Sequence, residues 1–547
     1  MPAPRVLISD ALSPAAVQIF KDRGIDVDFQ PALGKDKDKL AAIIGDYDGL
    51  AIRSATKVSP AILAQASRLK VIGRAGIGVD NVDIPAATAK GVIVMNTPFG
   101  NSITTAEHAI AMMFAVARQI PDADRTTQAG LWEKNKYLGV ELTAKTLGLI
   151  GCGNIGSIVA DRALGLKMKV VAYDPFLSVD RARDIGVEKV ELDELLRRAD
   201  VISLHVPMTA QTKNILSRDN LMRTKKGVRI INCARGGLVD EQALRDLLDS
   251  GHVAGAGFDV FAEEPATTNV LFGHPNVVCT PHLGASTAEA QENVALQVAE
   301  QMSDYLLTGA ITNAVNFPSI SAEEAPKLRP FVALAENLGT FLGQLTEASI
   351  TGIRIEYEGA VADLNVRPLT AAAVTGVLRP FLSDINMVNA VGIAKDKGIT
   401  VDEVKREAPG NLESRIKITV IGTDMARHAA GTVLTDGKPR IVEIRDIAMD
   451  AEFAPHMLYV RNDDKPGFIG RFGSLLGDAG VNIATFNLGR DVPGGNAICL
   501  VAVDERVSDE LLAKIRLIPL VKRAHRGLSD DKYAFAWKMT ETLRTIP

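Results

Sequence analysis

Three ionisable side chains in this chain are of the types that oxidation of a 2-hydroxy acid requires: Arg235 in NCARGG, Glu264 in FAEEP and His282 in PHLGAS. Such a reaction removes a hydroxyl proton as hydride leaves the same carbon. An imidazole, which titrates near neutral pH, is the natural base. A carboxylate beside it fixes the tautomer and favours the imidazolium, a role Glu264 fits. A planar guanidinium clamps a carboxylate or polarises a carbonyl oxygen, a role Arg235 fits. Taken singly, each has a plainer reading. An arginine in a strand-end loop serves in an ion pair, a solitary histidine is structural, and Glu263 or Glu264 is a solvated charge.

The hydride also needs an acceptor, and the run TLGLIGCGNIGSIVA supplies a place to hold one. Gly151 allows a tight turn, Gly153 lets the backbone approach a pyrophosphate, and Gly156 packs helix on strand, with the helix amide end facing the anion. Asp174 closes the next strand, where it receives ribose hydroxyls and would repel a 2′-phosphate, so the expected cofactor is NAD rather than NADP.

These groups need strands and helices to carry them. The spacing predicts a buried strand over 146–150, a helix over 155–164 and a strand over 169–174, a βαβ unit. Before it, apolar strands at 6–9, 49–52, 71–73 and 92–96 keep the rhythm of a parallel α/β sheet. A helix is expected over 102–119, capped by Ser102 and carrying the chain between lobes, and another over 287–307 returning to the first lobe. VISLHVP, RIINCARG, GAGFDVF and VVCTPHLG each end in a polar loop, where open α/β sheets gather ligand groups. Arg53 and Arg74 end two strands of the first lobe and are placed to face the cleft.

The clearest linker is Asn316-Phe317-Pro318 with the following SAEEAPKLRP, dense in proline and charge. Residues 320–452 mix helix and strand patterns without a chemical motif. The last stretch, from MLYVR to VKRAHRGL, reads βαββαβ, and 530–547 reads as an added terminal helix.

The bulk numbers fit this reading. A length of 547 residues implies about three or four domains. A net charge of -5 gives no electrostatic reason to expect nucleic acid. Cys152, Cys233, Cys279 and Cys499 lack metal-ligand spacing and are too few for a disulfide scaffold, which suits a reducing cytoplasm and no bound metal. The N-terminal MPAPRVLISDALSP lacks an apolar signal stretch, and the longest uncharged run, 265–288, contains three prolines, so no membrane association is expected.

NTPFGNS, GCGNIG, NCARGGLVDE, GAGFDVFAEEP and TPHLGAST together resemble the D-2-hydroxyacid dehydrogenases, in particular the long forms that act on D-3-phosphoglycerate in serine biosynthesis. The resemblance runs over nearly the whole chain. It implies an α/β fold of two Rossmann-like doubly wound lobes, followed by an α+β intervening domain and a βαββαβ ACT domain. The corresponding division is a substrate-binding lobe from 1–100 and 288–317, an NAD-binding domain over 101–287, an intervening domain over 318–453, an ACT domain over 454–529 and a tail over 530–547.

In that family the arginine of CARG, the second glutamate of EEP and the histidine of PHLG are catalytic, which carries over to Arg235, Glu264 and His282. The resemblance further implies NAD contacts at Asn154, Ile155, Asp174, Ala234, Asp259 and Gly284. It assigns the substrate phosphate to Arg53, Ser54 and Arg74 with Asn101 nearby. Where the family often has an arginine reaching the phosphate from a neighbouring subunit, this chain has Lys134, which keeps the charge but loses the bidentate fork. A serine effector site maps onto Asp464 and Asn482, whose bland reading is a turn aspartate and a strand-start asparagine. The implied activity is NAD-dependent oxidation of D-3-phosphoglycerate to 3-phosphohydroxypyruvate by a cytoplasmic homo-oligomer, a tetramer by resemblance. The alternatives are a glyoxylate or hydroxypyruvate reductase and a non-catalytic NADH-sensing protein.

Overall fold

In a computed structural model, which describes residues 3–321, 323–407, 412–423 and 425–527, the chain folds into four sheets. The helix expected over 530–547 lies outside the described residues, as do the last two residues of the expected ACT domain.

The first sheet contains β1 (Arg5–Ile8), β2 (Asp26–Phe29), β3 (Gly49–Ile52), β4 (Val71–Arg74) and β5 (Ile93–Met95), all parallel, in the order β2-β1-β3-β4-β5. The apolar alternation predicts four of these strands and misses β2. Its sequence DVDF is acidic and only partly buried, which an edge strand tolerates. Helices on both faces bury β3 completely, as a parallel sheet requires.

The second sheet takes β6 (Thr146–Ile150), β7 (Lys169–Tyr173), β8 (Glu188–Lys189), β9 (Val201–Leu204), β10 (Val228–Asn232), β11 (Val253–Phe258) and β12 (Val277–Cys279). Its order is β12-β11-β10-β9-β6-β7-β8, all parallel, so the strand order reverses between β6 and β9. The crevice at such a switch point, outside the carboxyl ends of the strands, is where open α/β sheets bind ligands. The helices Ser102–Arg118 and Ala288–Thr308 tie the two lobes together. The second packs on the first sheet, with Val298 and Met302 pressed against Gly73, and Arg23 paired to Asp304.

Ser102 does not cap the first of these helices. It is the first helical residue, its hydroxyl donates to the Pro98 carbonyl at 2.8 Å, and Asn101 holds the cap position without a side-chain cap bond. The linker also ends earlier than its composition suggests, because the helix Ala325–Leu345 already includes the second half of SAEEAPKLRP. Proline suits the first helical turn, where its missing N–H costs nothing, so Pro326 starts this helix rather than excluding it.

That helix, with Arg367–Leu378, covers a sheet of β13 (Ile350–Gly359), β14 (Thr400–Arg406), β15 (Ser414–Gly422), β16 (Ala426–Val433), β17 (Pro439–Ile444) and β18 (Ile447–Glu452). The final sheet, β19 (Met457–Asp463), β20 (Ile483–Arg490), β21 (Asn496–Val503) and β22 (Val521–Gly527), has the order β20-β21-β19-β22 with helices Phe468–Asp478 and Asp509–Arg516, the expected βαββαβ pattern. One apolar core runs from Val6 and Met95 through Phe317 and Leu328 to Phe341, Ile355 and Tyr459. No helix among the described residues is long and apolar enough to cross a membrane.

Candidate active site

The glycine turn follows β6 as the sequence predicts. Gly151 has a φ of 93°, its N–H bonds to the Tyr173 carbonyl at 2.9 Å, and a Cβ there would press on the His205 carbonyl. Gly156 abuts the Gly151 carbonyl so closely that a Cβ would collide with it. Gly153 differs, because a Cβ built on it meets nothing within 4 Å and the space over the turn is open. The helix Asn154–Gly165 starts there, with Asn154 and Ile155 in its first turn. A helix start leaves its first N–H groups without partners inside the helix, and here no side chain caps them, which suits a pyrophosphate. Asp174, one residue past β7, accepts the Cys152 N–H at 2.9 Å and the Phe176 N–H at 2.8 Å, so the acid expected at the ribose also braces the turn.

Across the switch point, three loops at the carboxyl ends of β10, β11 and β12 present the chemical groups. Asn232, at the end of β10, ties its own loop with its side chain, accepting the Ala234 N–H at 3.1 Å and donating to the Arg235 carbonyl at 2.9 Å. Asp240 then caps the next helix by accepting the Ala243 N–H at 2.9 Å, so the segment bearing Arg235 is fixed at both ends. Gly236 lies against the Phe261 carbonyl, leaving no room for a Cβ, and this joins the Arg235 loop to the Glu264 loop.

Glu264 accepts the Phe261 N–H at 3.0 Å through one oxygen and contacts His282 Nδ1 at 2.7 Å through the other. Burial pushes the Glu264 carboxyl up, but the hydrogen bonds from His282 and the Phe261 N–H outweigh it and hold it below its ordinary range. It is therefore ionised at neutral pH, so Nδ1 carries the hydrogen and Nε2 is left as the free basic atom. His282 has a φ of 56°, a left-handed conformation uncommon outside glycine. Asp259 is fully buried behind this loop, where its carboxylate accepts from Thr280, from the Leu283 and Gly284 N–H groups and from His108.

The first lobe supplies the opposite wall. Arg53 and Arg74 stand at the ends of β3 and β4, beside the exposed Ser54. Asp10 accepts the Arg53 N–H at 2.6 Å, and Asn81 donates to the Arg53 carbonyl at 2.7 Å. The guanidinium groups of Arg74 and Arg235 lie over Gly76 and Gly78, so an arginine from each lobe reaches one loop. Arg235 Nε bonds Asp80 at 2.9 Å across the lobes. Burial lowers the Arg74 pKa to about 10, helped by the nearby positive charges of Arg235 and Arg53 and opposed by Asp80. Arg74 Nε and the Asn101 side-chain oxygen are buried without a hydrogen-bond partner. An unpaired donor beside clustered guanidinium groups suits an anion.

The remaining expected residues lie apart. Lys134 is exposed in the short helical turn Lys134–Lys136, near the exposed Trp132. Asp464 accepts from Arg490 and the Gly494 N–H, each at 2.9 Å, whereas Asn482 donates to Asp504 at 2.7 Å, so the two are held by different partners. Sequence reasoning missed Asp80, Asp10, His108 and Thr280. Asp80 follows the RAGIG segment after β4, and a charged residue in a glycine-rich strand-end loop was the signal available.

Comparison with known proteins gives a consistent picture. Residues 110–284 match the family model for the NAD binding domain of D-isomer specific 2-hydroxyacid dehydrogenases, 327–445 the D-3-phosphoglycerate dehydrogenase intervening domain and 456–516 the ACT domain. A D-3-phosphoglycerate dehydrogenase of Synechocystis sp. is 42% identical over 523 residues, covering 95% of this chain and 94% of the relative. That of Bacillus subtilis is 40% identical over 516 residues, covering 94% and 98%. Among solved structures, a glyoxylate reductase from Paecilomyes thermophila superposes with a TM-score of 0.54 at 29% identity, covering 58% of this chain and 99% of its own.

Proposed function

The chain belongs to the D-3-phosphoglycerate dehydrogenase family, and we infer that it is an NAD-dependent oxidoreductase converting D-3-phosphoglycerate to 3-phosphohydroxypyruvate, the first step of L-serine biosynthesis. The observation that carries the catalytic assignment is the 2.7 Å contact between His282 and Glu264. His282 takes the C2 hydroxyl proton on Nε2 while Nδ1–H stays on ionised Glu264, which stabilises the imidazolium that forms. Arg235 binds the substrate carboxylate and the oxygen that becomes the ketone, releasing Asp80 as it does so. Arg53, Ser54 and Arg74, with Asn101 beside them, hold the phosphate.

The cofactor sits on the turn of Gly151, Gly153 and Gly156, with the amide ends at Asn154 and Ile155 toward its pyrophosphate and Asp174 toward its adenosine ribose. When bound, NAD supplies the hydride-accepting nicotinamide. Ala234, Asp259 and Gly284 line the nicotinamide end, where the loops after β10, β11 and β12 meet. Residues 1–100 with 288–317 form the substrate lobe and 101–287 the cofactor lobe. Residues 318–453 and 454–529 are the intervening and ACT units. Serine binding near Asp464 and Asn482, Lys134 reaching a neighbouring subunit's phosphate site and a tetrameric cytoplasmic enzyme complete the reading.

The test is NADH production from D-3-phosphoglycerate compared with D-glycerate, repeated with L-serine. The phosphorylated substrate is expected to give a kcat/KM at least about 100-fold higher, since losing a buried charge partner costs several kcal/mol. Equal turnover of both acids would remove the phosphate site, and a rate indifferent to serine would remove the effector site.

A further inference from the structure

We infer that His108 is a positioning residue for the catalytic imidazole, holding the backbone of residues 283–284, directly after it, through the buried Asp259 carboxylate. The inference rests on the assignment of His282 as the base. His108 lies on the helix Ser102–Arg118, and its Nε2 is 3.2 Å from both Thr280 Oγ1 and Asp259 Oδ1. The Thr280 hydroxyl spends its proton on Asp259 Oδ1 at 2.6 Å, so toward His108 it can only accept. The carboxylate also only accepts. Both neighbours therefore require the hydrogen of His108 on Nε2.

Asp259 grips the catalytic loop at three consecutive residues. Its carbonyl takes the His282 N–H at 2.8 Å, while its carboxylate takes the Leu283 N–H at 2.7 Å and the Gly284 N–H at 2.8 Å. These bonds bracket the residue whose φ of 56° must be held against its intrinsic preference. Burial pushes the Asp259 carboxyl up, but donation by His108, Thr280, Leu283 and Gly284 outweighs it and holds it low. Of these four donors, three come from the segment 280–284 that Asp259 holds. His108 alone comes from the helix joining the lobes. Without it, a fully buried oxygen loses a donor, the carboxylate is held only by the segment it positions, and the imidazole loses its aim at the substrate hydroxyl.

The test is steady-state kinetics of His108→Phe, His108→Gln and Thr280→Val, together with hydrogen exchange of the Leu283 and Gly284 amides. His108→Phe is expected to lower kcat about 10- to 100-fold, as small misplacements of reacting groups do, with KM for both substrates changed less than about 3-fold. His108→Gln, whose amide N–H reaches about as far as Nε2, is expected to recover most of that loss. Thr280→Val should fall with His108→Phe, and it serves in its place if the phenylalanine variant does not fold. Unchanged kcat in both, a rise in the NAD KM alone, or no recovery in His108→Gln overturns the inference. If the wild-type chain does not oxidise D-3-phosphoglycerate, the functional reading fails separately, and the amides decide: faster exchange in the variants supports the buttress, unchanged exchange overturns it.

Discussion

In the proposed reading substrate discrimination turns on Arg74, whose buried Nε has no hydrogen-bond partner and which lies near the charges of Arg235 and Arg53. Arg74→Gln is expected to raise KM for D-3-phosphoglycerate at least about 10-fold while leaving that for D-glycerate within about 2-fold. A KM that rises equally for both acids in the variant would contradict the assignment. Arg53 and Arg74 were legible because each closes an apolar strand. Their relation to Arg235 was not, since it depends on two lobes meeting, and a separation of 155 positions between Asp80 and Arg235 leaves no local trace of their bond.

Among the elements, the glycine turn separates two effects that a motif alone merges. Gly153→Ala introduces a Cβ into open space at a φ of -76°, so the fold should tolerate it within about 0.5 kcal/mol. The same methyl group stands where the pyrophosphate must approach, so KM for NAD should rise at least about 10-fold. Gly156→Ala strikes the Gly151 carbonyl and should lower Tm as well as NAD affinity. Equal loss of Tm in both variants would show that Gly153 is structural. Strands and helices with strong apolar periodicity, such as β6 and its following helix, were readable from sequence. The edge strand β2 was not, because half of its side chains face water, and Pro326 was misread because proline marks both a break and a helix start.

Over the whole molecule, the intervening unit and the βαββαβ sheet are joined by packing. Phe341, fully buried in the helix Ala325–Leu345, meets the Tyr459 ring edge-on at 5.9 Å and lies against Gly527. Phe341→Ala is expected to cost about 3–5 kcal/mol in denaturant unfolding. A loss below about 1 kcal/mol would mean that the two units do not share a core. The sequence shows the two parallel sheets and the βαββαβ sheet as separate patterns, but a continuous core through the molecule depends on long-range contacts that periodicity does not encode.

The relation between His282 and Glu264 is tested most directly by the pH dependence of kcat/KM measured in both directions on the same preparation. If His282 is the base in oxidation and the acid in reduction, oxidation should rise with pH through one titration and reduction fall through the same one. Both limbs should disappear in His282→Asn. Parallel profiles in the two directions, or limbs that survive that substitution, would contradict the assignment.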